Sequence, residues 1–313
     1  MNFRLTLWLV RRALSSALDD NCFNIAKGAA FSATLSLFPG LVFLAAILFR
    51  GNVAAALNDI YDLLGHVLPN NVHELLAVYL AVPPGRSTGL ILGTGLIAVM
   101  FAAEAVISLM EGFRAAYRLP RSWSGSREHA IALGLVFVTA IPVALASTLM
   151  VFGYQIENRL IEQFGQPLWA TAGVRLAAWT IAFTTVVLVL GCLYYLAPHR
   201  EQRWRDVLPG AIFAALLWWP STLLFAFYVQ NVAYYGDLYG SVAAVVVVLI
   251  WMYLLSSIVL LGCEFNAERE RLIAAMALEA TAAKTSGIHL RGAATNERAE
   301  RKAETAQAGS SKR

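Results

Sequence analysis

The chain has 313 residues, of which 58% are apolar and only 14% charged. Soluble domains carry about 25% charged residues; here the shortfall is concentrated in long uncharged blocks, which excludes a water-soluble globule and suits a bilayer. The formal net charge of +4 lies beside apolar runs and at the chain end, not on an amphipathic face with interleaved aromatics, which argues against a nucleic-acid partner.

Residues 1–27 predict an amphipathic helix. Phe3, Leu7, Val10, Leu14 and Leu18 recur at spacings of four and three, with Arg4, Arg11 and Arg12 off that stripe. Two readings stand: a helix in the headgroup layer with its arginines toward anionic lipid, or a helix packed on neighbouring loops. The first long apolar run, Gly28–Phe49, has 22 residues and reaches about 33 Å, enough to span. It is longer than a signal-peptide core, and its charged leader is also long for one. Residues 50–88 mix Asp59, Asp62, His66, His73 and Glu74 with regularly spaced Leu, Ile and Val. Pro69-Asn70-Asn71 breaks the segment and Pro83-Pro84-Gly85 ends it. The pattern predicts two short amphipathic helices lying across the outer membrane surface.

Further spans are predicted at Gly89–Met110, Ala130–Phe152, about 170–197, Pro209–Val229 and Val242–Cys263. The fold class is therefore an all-α polytopic membrane protein with six transmembrane helices spread over residues 28–263. Residues 264–283 continue the last helix, and the polar tail beyond about 284 reads as disordered. Lys and Arg divide unevenly between the two sides. Residues 1–27, 111–129 and 198–208 and the tail hold twenty; the opposite side holds Arg50, Arg86, Arg159 and Arg175. The positive-inside rule then places both termini in the cytoplasm, and in a bacterium the membrane is the inner one.

Few residues can carry chemistry. Three scattered cysteines and five scattered histidines show no metal-ligand spacing, so no cofactor, metal or enzyme activity is expected. Glu104 is an ionisable group inside a span and must face protein, water or headgroups. It reads as a polar pathway or headgroup contact, or else as an inter-helix hydrogen bond. Arg175, near the outer end of the fourth span, reads as snorkelling to headgroups. Lys27 is a candidate partner for Glu104 or Glu264, since all three lie toward the inner face. Pro39, Pro142 and Pro220 sit mid-span in the odd-numbered helices and are candidate hinges.

Four stretches in order resemble the YihY/BrkB family of bacterial inner-membrane proteins. They are Ala29–Pro39 (AAFSATLSLFP); Gly112–Tyr117 with Trp123; Leu196-Ala197-Pro198 with Trp204-Arg205 and Leu208-Pro209-Gly210; and Tyr239-Gly240-Ser241, Trp251-Met252-Tyr253 and Gly262–Glu268, which includes Asn266. The resemblance covers roughly residues 20–270. The second span departs from it: Phe101 and Glu104 stand where the family tends to show Trp and small hydroxyl residues.

The resemblance implies six helices with both termini inside and a role in envelope integrity. Relatives are linked to serum resistance and to lipid or lipopolysaccharide-precursor transport; an older ribonuclease label finds no catalytic cluster here. The expected function is non-enzymatic handling or translocation of envelope lipid. The alternatives are a small-solute or ion transporter and a scaffold without transport activity. Expected partners are membrane lipids, with an envelope protein or a second copy of the chain as further candidates. A reporter fused after Arg313 is expected to be active only in the cytoplasm; protease or impermeant-label access to the tail from outside intact cells would overturn the topology.

Overall fold

A computed structural model describes residues 3–50, 88–120, 124–164, 168–198, 200–231 and 243–310. The predicted amphipathic pair within 51–87 and the motif Tyr239-Gly240-Ser241 lie outside these residues. Among the described residues all regular structure is α-helical: α1 (Phe3–Asp19), α2 (Cys22–Arg50), α3 (Thr88–Tyr117), α4 (Gly125–Phe164), α5 (Leu168–Leu196), α6 (Trp204–Asn231) and α7 (Ala243–Ser310). Helices α2 to α7 are each long and apolar enough to cross a membrane. They extend past the predicted spans because polar residues at helix ends reach into the headgroup layer without breaking the helix.

Two left-handed residues punctuate the chain. Asn21, at φ 55°, separates α1 from α2, so residues 1–27 are not one helix as the amphipathic pattern suggested. The Asp20 N–H donates to the Ser16 carbonyl, closing α1. The Asn21 carbonyl then accepts from the N–H groups of Asn24 and Ile25, opening α2. Asn tolerates this conformation better than other side chains. Arg118, at φ 54°, ends α3: the Leu119 N–H reaches back to the Arg114 carbonyl at 2.9 Å, the Schellman pattern, and Pro120 follows.

The chain forms two compact units, residues 1–267 and the stretch from Glu268 onward. In the second unit Arg271 bonds Glu268 one helical turn away. The tail past 284, expected to be unstructured, is helical as far as Ser310. It holds no proline and is rich in Ala, Glu and Arg, which favour helix.

In the first unit α2 and α3 pack antiparallel through small residues. A Cβ on Gly28 would stand 3.6 Å from Ser108, and one on Gly40 would stand 3.7 Å from Ala98. The main core gathers Ala17, Cys22, Phe113, Tyr194, Val207 and Cys263, all near the end of the bundle that carries α1 and the basic connections. We call this the basic end. A second cluster toward the other end joins Phe225, Val229, Val247 and Trp251, with Leu37 and Leu41 packed against it. In α4, by contrast, only Thr139, Pro142 and Ala146 between residues 139 and 149 are shielded at all.

The tightest crossing is α6 on α7. A Cβ on Gly210 would collide with the Gly262 carbonyl and the Asn266 amide, and one on Gly262 with the Tyr194 hydroxyl and, at 2.7 Å, Ala214. Only glycine permits this approach. Either Gly210→Ala or Gly262→Ala is expected to cost ~1–3 kcal/mol through overpacking. Gly134→Ala, with nothing within 4 Å of its Cβ position, serves as the neutral control. Thermal unfolding in detergent measures this, and three equal midpoints would contradict the crossing.

Candidate functional site

Polar side chains concentrate at the basic end in two sets, one buried and one exposed. The buried set locks the helices together. Asn266, 2% exposed, donates from Nδ2 to the Val207 carbonyl at 2.9 Å and accepts from the Gly210 N–H at 2.7 Å. Pro209 lies between those two backbone groups and has no N–H of its own. The Asn266 amide thus acts as an extra peptide group inserted beside α6. Two turns earlier on α7, the Tyr194 hydroxyl donates to the Val259 carbonyl at 2.6 Å, and its ring meets Phe113 edge-on. The Cys22 thiol donates to Glu264 at 3.3 Å, tying the start of α2 to α7. Arg114 pairs with the buried Glu128 across α3 and α4. Arg200 stacks over the Tyr117 ring at 3.9 Å, and Gln202 donates to the carbonyls of Tyr194 and Tyr195 at the end of α5.

The exposed set is a pair. His129 Nε2 lies 3.0 Å from Glu104 Oε1, and the side chains are 55% and 49% exposed. His129 Nδ1 lies 2.8 Å from the Gly125 carbonyl oxygen. That oxygen can only accept, so Nδ1 carries a hydrogen. The Nε2–Glu104 contact then holds one shared proton, on the imidazole or on the carboxyl. Glu104 therefore belongs to neither a buried pathway nor the bundle core; it looks outward.

Its surroundings give that outward face a direction. Leu92, Leu96 and Met100 are exposed at four-residue spacing on α3 and lead to Glu104. On α4 the same spacing runs from His129 through Leu133, Phe137, Ile141 and Leu145, all exposed. The apolar stripes extend about 18 Å and 24 Å beyond the pair, most of the thickness of a hydrocarbon core. The pair stands at the foot of both stripes.

Other expected residues fall elsewhere. Lys27 is exposed and donates to Asn24 at 3.0 Å. Among the described residues it forms no ion pair, so its proposed partnership with Glu104 or Glu264 is not made. A shared depth does not fix the direction a side chain takes around its helix, and Lys27 is drawn back along its own. Glu264 is fully buried in the inter-helix layer, and Arg175 is exposed on α5. Pro39, Pro142 and Pro220 all lie inside unbroken helices. One turn before Pro142 the Thr139 hydroxyl donates to the Leu135 and Val136 carbonyls. Asn266 joins no part of the Glu104 site.

His129 is the residue that sequence reasoning passed over. It stands one position outside an apolar run, and its partner is 25 residues away on the preceding helix. The available signal was a titratable residue at the mouth of each of two consecutive antiparallel spans.

Six apolar helices around a buried polar layer define a polytopic α-helical membrane protein. A family model described as virulence factor BrkB matches residues 13–286. The chain belongs to this BrkB family, whose members include UPF0761 membrane proteins.

Among curated relatives, a Bacillus subtilis (strain 168) protein named as ribonuclease-like, YfkH, is 30% identical over 239 residues, 74% of this chain and 84% of that protein. The UPF0761 membrane protein of Alkalilimnicola ehrlichii is 28% identical over 255 residues, 79% of this chain and 55% of that one. A UPF0761 membrane protein of Aromatoleum aromaticum is 24% identical over 270 residues, 82% and 64% respectively. The chain thus spans less than two thirds of the length of the UPF0761 proteins it matches here. No solved structure matches it. Among the described residues no group of three or more His, Cys, Asp or Glu is arranged to hold a metal ion.

Replacing Asn266 with Leu removes both bonds between α7 and α6. At about 0.5–1.5 kcal/mol for each lost hydrogen bond, the variant is expected to melt below wild type in detergent. A midpoint within a degree of wild type would show that the amide does not bridge the helices.

Proposed function

We propose that the protein is a non-enzymatic component of the bacterial inner membrane, with both termini in the cytoplasm, that supports envelope integrity by moving envelope lipid or presenting it to a partner. One observation carries this reading: Glu104 and His129 are paired on the outward surface, at the foot of two exposed apolar stripes. A carboxylate there meets headgroups, while acyl chains lie along Leu92, Leu96 and Met100 on one side and Phe137 and Ile141 on the other. An ionisable pair in this position is costly unless polar groups approach it from the bilayer side.

A solute or ion transporter would instead hold Glu104 in a sealed, water-lined cavity near the midplane. The half-exposed carboxyl does not suit that arrangement. The narrow shielded line on α4 fits a lipid route, because it leaves most of that helix's circumference between residues 139 and 149 open to acyl chains.

The test is a reconstituted liposome assay that follows flip of a fluorescent phospholipid and, in parallel, flux of a trapped small solute. Wild type is expected to accelerate lipid flip without solute leak. Glu104→Ala and His129→Gln are expected to lower the lipid rate by roughly tenfold, the equivalent of ~1.4 kcal/mol in the barrier. Lipid movement in none of the proteins, or solute flux alone, would overturn the reading.

A further inference from the structure

Helix α1 divides into three faces that the sequence pattern does not separate. Leu9, Ala13, Ser16 and Ala17 are buried, with 0%, 0%, 6% and 1% of their surface exposed, and Ala17 belongs to the main core. This is the face on the bundle. Leu7, Leu14 and Leu18, at spacings of seven and four, are 62%, 45% and 63% exposed. They form a second apolar face beside the first. Arg4 and Arg11 lie next to that second face, followed by Ser15 and Asp19, all exposed. An apolar sector flanked by arginines and left bare by a bundle that covers the opposite side has one natural complement: acyl chains below and phosphates above.

The chain itself sets the depth of the helix. Only Asp20 and Asn21 separate α1 from Cys22, where the first membrane-capable helix begins, and the Asn21 carbonyl already accepts the first bonds of α2. Two residues cannot carry α1 away from the membrane surface.

We infer that α1 is an interfacial anchor docked on anionic lipid of the leaflet at the basic end, with Leu7, Leu14 and Leu18 among the acyl chains and Arg4 and Arg11 at the phosphates. This does not depend on lipid translocation. The anchor holds if the protein moves nothing, and it fails on its own evidence.

The experiment uses the full chain in nanodiscs of phosphatidylcholine with or without phosphatidylglycerol. Single cysteines replace Leu7, Leu14, Leu18, Ser15 or Asp19 in turn and carry a nitroxide. The unmutated protein, in which Cys22 and Cys263 are buried and Cys192 is half-buried, measures background labelling. Collision with oxygen, which concentrates in hydrocarbon, is compared with collision with a water-soluble nickel chelate. In phosphatidylglycerol discs the labels at 7, 14 and 18 are expected to favour oxygen, and those at 15 and 19 the chelate.

Omitting phosphatidylglycerol, or combining Arg4→Gln with Arg11→Gln, is expected to shift the label at 14 toward the chelate. At about fivefold per basic residue lost from an anionic surface, the double change is large. Labels at 14 and 18 that face water in the presence of phosphatidylglycerol would overturn the anchor. So would labels shielded from both reagents, which would indicate protein cover by a partner or second copy. Identical behaviour in the two lipid compositions would overturn the part assigned to the arginines. The nitroxide line shape at 15 and 19, on the same helix, reports misfolding separately, because an unfolded segment sharpens the spectra at all five positions.

Discussion

The crossing of α6 and α7 is the contact on which the basic end depends. Gly210 and Gly262 let two backbones meet, and the Asn266 amide then bonds the Val207 carbonyl and the Gly210 N–H on either side of Pro209. Neither feature works alone. Without glycines the amide could not reach, and without the amide the crossing would lose both of its hydrogen bonds to the α6 backbone. Tyr194 extends the same logic two turns further by bonding the Val259 carbonyl. In hydrocarbon there is no hydrophobic gain from bringing apolar helices together, so close contact and inter-helix hydrogen bonds have to hold them.

The two ends of the bundle differ as a consequence. At the basic end the main core takes side chains from all seven helices, and buried polar pairs link α2 to α7 and α3 to α4. Toward the other end, among the described residues, the second cluster gathers α6 and α7 with leucines of α2. The middle of α4 is largely bare there.

Six spans were legible in the sequence because length and lack of charge suffice to mark them. Their ends were less so: α2 begins at Cys22 rather than Gly28 and α3 runs on to Tyr117, since Lys27, Glu111 and Arg114 interrupt the apolar run without interrupting the helix. The α1 stripe was also visible, but it is not the face that packs. The packing face is built from Leu9, Ala13, Ser16 and Ala17, and the last three are too small to register in a hydrophobic pattern. Azimuth was the harder quantity throughout. Depth can be counted at 1.5 Å per residue, yet whether Glu104 meets Lys27 or His129 depends on rotation about the helix axis, which no single span records.

The outward pair limits what chemistry the protein can do. The Gly125 carbonyl fixes a hydrogen on His129 Nδ1, so the Glu104–His129 contact holds one proton whichever partner carries it. Its net charge is therefore zero while it is intact, which makes its position beside hydrocarbon tolerable. A cationic headgroup group approaching Glu104 must compete with the imidazole, and a phosphate approaching His129 must compete with the carboxylate. Either exchange alone leaves the displaced partner without its counter-charge, so, for the lipid role proposed above, a zwitterionic headgroup that pairs with both side chains at once is the species that can replace the internal pair. A buried carboxylate such as Glu264, tied to Cys22 in the core, offers no comparable exchange, because no headgroup can reach it without opening the helix crossing that holds the bundle.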